Sequence, residues 1–115
     1  MNAPTMAPRA VLADDERLMR EQLRARLAEV WPELQIVAEA KNGLEAVQLV
    51  AEHRPDIVFL DIRMPGLSGL EVAQALAEDW PEDRPLPLLV FVTVQRHQSL
   101  AHLLQAEVAV VVGRG

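Results

Sequence analysis

The stretch Pro55-Asp56-Ile57-Val58-Phe59-Leu60-Asp61 decides the fold. Ile57 to Leu60 is an unbroken apolar strand ending at a carboxylate, and such strands are expected where helices cover both faces of a sheet. Upstream, Ala10-Val11-Leu12-Ala13 is a second short apolar run, stopped by Asp14-Asp15. Leu34 to Ala40 reads as another strand, Leu88 to Val92 as a fourth with Thr93 at its end, and Val108 to Val112 as a fifth. Helical spacing fills the gaps between them. Met19, Leu23, Leu27 and Val30, flanked by Leu18, form one face of a helix. Trp31-Pro32 ends it, because the residue before proline avoids the α region. Asn42 and Ser68 each stand three residues before a glutamate (Glu45, Glu71), the pattern of a capped helix start. Ala46, Val47, Val50 and Ala51 supply the buried side of the first of these helices, and Leu70, Ala73, Leu76, Ala77 and Trp80 that of the second. Gln98 to Ala106 is a weaker helix candidate.

Strand–helix alternation with continuously apolar strands predicts an α/β fold, a doubly wound, parallel, five-stranded sheet. A flavodoxin-like strand order of 2-1-3-4-5 is expected, with the last helix missing because the chain stops after the fifth strand. The 115 residues suit one domain, 9–115, incomplete at its C-terminus and preceded by a flexible segment, 1–8. Eleven basic against 17 acidic residues give a formal charge of −6, which disfavours direct binding of nucleic acid by this domain. With no cysteine, disulfides and thiolate metal sites are excluded. No apolar run approaches the roughly 20 residues of a membrane span. No secretory signal is visible either, so a cytoplasmic location without membrane contact is expected.

In open doubly wound sheets, ligands bind beyond the carboxyl ends of the strands, where strand order reverses. That rim carries Asp14, Asp15, Asp61 and Thr93. Two carboxylates about 4 Å apart repel by ~1 kcal/mol in water and ~4 kcal/mol at an effective dielectric near 20. A cluster of three needs a proton, a basic residue or a cation. A hard divalent ion with oxygen ligands, Mg2+, fits best. With that charge offset, an Asp can attack a phosphoryl group and form an aspartyl phosphate. Asp14 and Asp15 also have a plainer reading, as caps of the first helix. Arg20, Arg24 and Arg26 read as a solvated helix face, and His53, His97 and His102 as solvated histidines without metal-like spacing.

The runs Val11-Leu-Ala-Asp14-Asp15-Glu16, Asp56-Ile-Val-Phe-Leu-Asp61-Ile-Arg-Met-Pro65-Gly-Leu-Ser-Gly69 and Val90-Phe-Val-Thr93 resemble the receiver domain of bacterial two-component response regulators. Their wording is most similar to regulators carrying a LytTR-type DNA-binding domain. The resemblance implies that Asp61 is the phosphoacceptor, served by a sensor histidine kinase that packs on the first helix. It implies that Asp14, Asp15, Asp61 and the backbone carbonyl of Arg63 hold Mg2+, and that Thr93 is the switch hydroxyl. DNA would then be reached only through an output domain absent from this chain.

After Thr93 the pattern departs from the family. Val94 stands where a small residue is usual, and the family's lysine would fall near Gly113, whereas the only lysine is Lys41. Arg114 is the nearest cation. Three readings of this tail compete: a piece of a longer regulator, a degenerate receiver, or a tail altered at the gene level. A missing last helix would bare an apolar face on strands four and five, so a homodimer or domain-swapped oligomer is expected. The leading function is a phosphorylatable signalling module rather than an enzyme. The alternative is a non-phosphorylated interaction or dimerisation module on the same fold. A phosphohydrolase ranks lower, because Arg63 stands where its second aspartate belongs.

Overall fold

The computed structural model of the chain describes residues 7–64, 66–81, 83–95 and 105–110; the side chains of 79, 93–95 and 105–110 lie outside that description. Its elements run β1 (Arg9–Ala13), α1 (Arg17–Val30), β2 (Gln35–Ala40), α2 (Gly43–His53), β3 (Ile57–Asp61), α3 (Gly69–Asp79), β4 (Leu88–Gln95) and β5 (Gln105–Val110). The strands lie in the order β2-β1-β3-β4-β5. β1 pairs in parallel with both β2 and β3, and β3 with β4. The parallel α/β sheet of these four strands is as the apolar runs predict.

The fifth strand corrects the expectation. β5 runs antiparallel to β4, with Val90 opposite Val110 and Gln95 opposite Gln105, and it begins three residues earlier than the Val108 start read from the sequence. Only residues 96–104 separate the two strands. A parallel return needs a crossover of about a dozen residues or more, whereas an antiparallel return needs only a short connection. The helix candidate Gln98 to Ala106 is corrected at its end, where Gln105 and Ala106 are strand; its remainder lies outside the described residues.

Alternation along the strands builds two cores. Val11, Ala13, Val58, Leu60, Leu89 and Phe91 face α2 and α3, packing with Ala46, Val50, Val72 and Leu76. Ala10, Leu12, Ile57, Phe59, Val90 and Val92 face α1, packing with Leu23 and Leu27. β1, β3 and β4 are therefore covered on both sides, as their apolar runs require. In β4, Leu89 to Val92 are each 5% exposed or less, whereas Leu88 at its start is 38% exposed. The valines of β5 lie outside the described side chains.

Helix starts follow the sequence closely. The Asn42 side chain accepts the Glu45 N–H, and Ser68 and Glu71 form a complete capping box. Trp31 and Trp80 stand at the C-caps of α1 and α3, and Trp80 Nε1 donates to the Pro85 carbonyl at 3.1 Å. Helix faces are less faithful. Val30 and Leu70 are exposed, Ala51 and Ala77 likewise, while Val72, absent from the expected face, is fully buried. Among the described residues no helix is long and apolar enough to cross a membrane.

Candidate metal and phosphoryl site

The register of the sheet builds the site. Ala13 pairs with Leu60, so the residues that follow, Asp14 beyond β1 and Asp61 at the end of β3, emerge side by side at the carboxyl rim. Asp14, Asp15 and Asp61 each offer a carboxylate oxygen, and these atoms all lie within 4.8 Å of one another. Asp14 is buried, Asp61 half-buried and Asp15 exposed. The capping reading of the aspartates is not followed, because Glu16 occupies the N-cap of α1. Asp14 Oδ1 instead accepts the Glu16 N–H at 2.9 Å, ahead of the helix.

The cluster holds protons more tightly than isolated carboxylates do. Burial, then repulsion from Asp15, pushes the Asp14 carboxyl up to about 6, against the opposing charge of Arg20. Burial pushes Asp61 up to about 7; the Arg63 N–H works against this, and the Asp14 and Asp15 charges add to it. That N–H donates to Asp61 Oδ1 at 3.1 Å. Desolvation and like charge both disfavour the ionised form, and a cation in the cluster would relieve both. An all-oxygen donor set, part buried and part open to water, suits a hard dication that keeps some of its water. The residues present fit Mg2+.

Asp61 is also fixed from behind. Gly69, the first residue of α3, lies so close that a Cβ there would come within 2.5 Å of the Asp61 carbonyl oxygen. Gly43 packs as closely on Leu67, which seats α2 against the loop leading into α3. Thr93 follows Val92, the β4 partner of Asp61, so its backbone reaches the same rim; its hydroxyl lies outside the described residues, as do the Val94 side chain, His97, His102, Gly113 and Arg114.

Arg20 was not legible as a site residue. Expected on a solvated face with Arg24 and Arg26, it is only 11% exposed, donates to the Asp14 carbonyl oxygen at 2.8 Å, and pairs with Glu39. The only sequence signal was the spacing of Arg20 and Arg24, four residues apart on one helix face. Nothing in the sequence placed Glu39 of β2 opposite them.

A profile of the response regulator receiver domain matches residues 10–112. The chain is 55% identical over 84 residues to an uncharacterized response regulatory protein of Vibrio cholerae serotype O1, covering 73% of this chain and 31% of that protein. It is 44% identical over 85 residues to the transcriptional regulatory protein BtsR of Escherichia coli K12, covering 74% and 33% respectively. Among solved structures, it resembles the signal receiver domain of the response regulator NarL from Mycobacterium tuberculosis. That match has a TM-score of 0.65 and 30% identity, and covers 79% of this chain and 69% of that one. The chain thus spans about a third of the length of the curated relatives it matches. The finer likeness to LytTR-type regulators gains no support from these relatives. Parallel strands, the acidic trio at their carboxyl ends and the sequence match agree, and the chain belongs to the response regulator receiver domain family.

Proposed function

We propose that this chain is a phosphoacceptor receiver that takes a phosphoryl group from a histidine kinase onto Asp61 and passes the signal to a transcriptional output. The observation that carries this reading is the convergence of Asp14, Asp15 and Asp61 within 4.8 Å at one rim of the sheet. Asp14, Asp15, Asp61 and the main-chain carbonyl of Arg63 would hold Mg2+. Bound there, Mg2+ offsets the negative charge of the carboxylates and of the incoming phosphoryl oxygens. An ionised Asp61 oxygen attacks the phosphorus while the P–N bond of the kinase phosphohistidine breaks and the imidazole leaves. The Arg63 N–H orients the attacking carboxylate. Thr93, one residue beyond the strand partner of Asp61, is in this reading the switch hydroxyl. Phosphorylation then shifts the population between two arrangements of the rim, and with it the partner surface.

A second reading, a receiver that binds partners without being phosphorylated, is favoured by one observation: the chain's single lysine, Lys41, follows β2 rather than β5. Incubation with Mg2+ and acetyl phosphate separates the two. Mass spectrometry is expected to find one added phosphoryl group in the wild type and none in Asp61→Asn. An unlabelled wild type, folded and with Mg2+ present, refutes the phosphoacceptor reading and leaves the interaction module.

A further inference from the structure

Asp14 is gripped through its main chain as well as its carboxylate. Its N–H donates to the Ala40 carbonyl at 3.1 Å, and its own carbonyl oxygen accepts Arg20 Nη1 at 2.8 Å. Arg20 Nε donates to Glu39 Oε1 at 3.3 Å, and the other oxygen of Glu39 accepts Arg24 Nη1 at 2.7 Å. Two arginines of α1 therefore share one carboxylate of β2, and the inner of them reaches the residue that opens the acidic cluster. Arg20 is nearly buried, whereas the Arg24 side chain is 52% exposed. A planar guanidinium can make both of the inner contacts at once, which an ammonium group cannot do with the same geometry.

We propose that Arg20, tethered through Glu39 to Arg24, is a positioning residue that fixes the Asp14 main chain so that its carboxylate meets Asp15 and Asp61 around a divalent cation. This rests on the reading that the three aspartates hold such an ion. Charge and position make opposite demands here. A guanidinium beside the pocket repels a dication, so on charge alone its removal tightens Mg2+ binding. If Arg20 positions Asp14, its removal weakens binding. The sign of the change separates the two.

Residues that orient metal ligands are typically worth about 10- to 100-fold in metal affinity. Calorimetric titration with Mg2+ at about pH 8, where Asp14 and Asp61 are mostly ionised, is expected to show binding weakened about tenfold or more in Arg20→Met. Arg20→Lys, which keeps the charge and loses the fork, is expected to stay weakened several-fold. A merely structural role would lower the melting temperature in EDTA and leave Mg2+ affinity unmoved. Unchanged or tighter binding in a folded Arg20→Met, or full recovery in Arg20→Lys, overturns the proposal. Should Arg20→Met fail to fold, Arg24→Met tests the tether from its exposed end. A loss of about two- to threefold is expected there, and unaltered affinity overturns the proposal. A wild type that binds no Mg2+ overturns the site reading together with this one, whereas a wild type that binds, with affinity unaltered in Arg20→Met, overturns the positioning role alone.

Discussion

Replacing Asp61 by asparagine removes one carboxylate from the crowded rim and is expected to stabilise the metal-free protein above neutral pH. At 4.8 Å, two unit charges repel by about 1 kcal/mol in water and about 3.5 kcal/mol at an effective dielectric near 20. The proton affinity of Asp61 supports a figure of the same order. A displacement from 3.8 to about 7 would be worth about 4 kcal/mol if solvent screened nothing. Half-buried and coupled to Asp14, Asp61 is expected to yield roughly half of that, about 2 kcal/mol. Between those two values the folded chain binds more protons than the unfolded chain, so wild-type stability falls as pH rises through the window. Well below pH 3.8 the carboxyl is neutral in both states, so the advantage of Asp61→Asn is nearly gone by about pH 4. Urea unfolding in EDTA, followed by tryptophan fluorescence at about pH 4 and pH 8, measures this directly. Excess Mg2+ should reverse the ranking, since a ligand at 100 times its Kd adds about 2.7 kcal/mol to the protein that binds it. An Asp61→Asn protein no more stable than wild type at the higher pH, or equally favoured at both, would falsify the picture of a strained acidic cluster.

Two further substitutions probe the supports of the site. Gly69→Ala places a methyl group against the Asp61 carbonyl oxygen, and overpacking of this kind typically costs about 1–3 kcal/mol. Denaturant melts should register the loss, and acetyl phosphate labelling should slow because the acceptor backbone has moved. Ser68→Ala, the adjacent residue, breaks the capping box at the start of α3 and should cost about 1 kcal/mol. Labelling by acetyl phosphate should continue in that variant at close to the wild-type extent.

The strand–helix alternation, both helix-start motifs and the acidic rim were legible because each is a local pattern. Asp14, Asp15 and Asp61 could be assigned to one rim because strands in an α/β sheet share a direction. The failures came where two local solutions compete. In α3, Leu76 is buried and Ala73 and Trp80 pack against the core as the spacing predicts. Leu70 and Ala77 obey the same spacing and are exposed, while Val72 is buried in their place; only the sheet beneath makes that choice. For β5, the habit of parallel strands outweighed the shortness of residues 96–104. Arg20 was misread because three arginines on one helix resemble a solvated face, and its partners, Glu39 and the Asp14 carbonyl, belong to other elements.

The seam between β1 and β3 joins segments far apart in the chain, as the bond from the Arg9 N–H to Asp56 shows across 47 positions. β4 meets β5 across residues 96–104 alone. Near neighbours zip early and distant ones late, because the larger loop must close first. The acidic pocket straddles that long-range seam, so a chain in which β1 and β3 are unpaired does not bring Asp14 and Asp61 together. A dication held by Asp14, Asp15 and Asp61 would therefore favour the closed sheet over any form in which that seam is open.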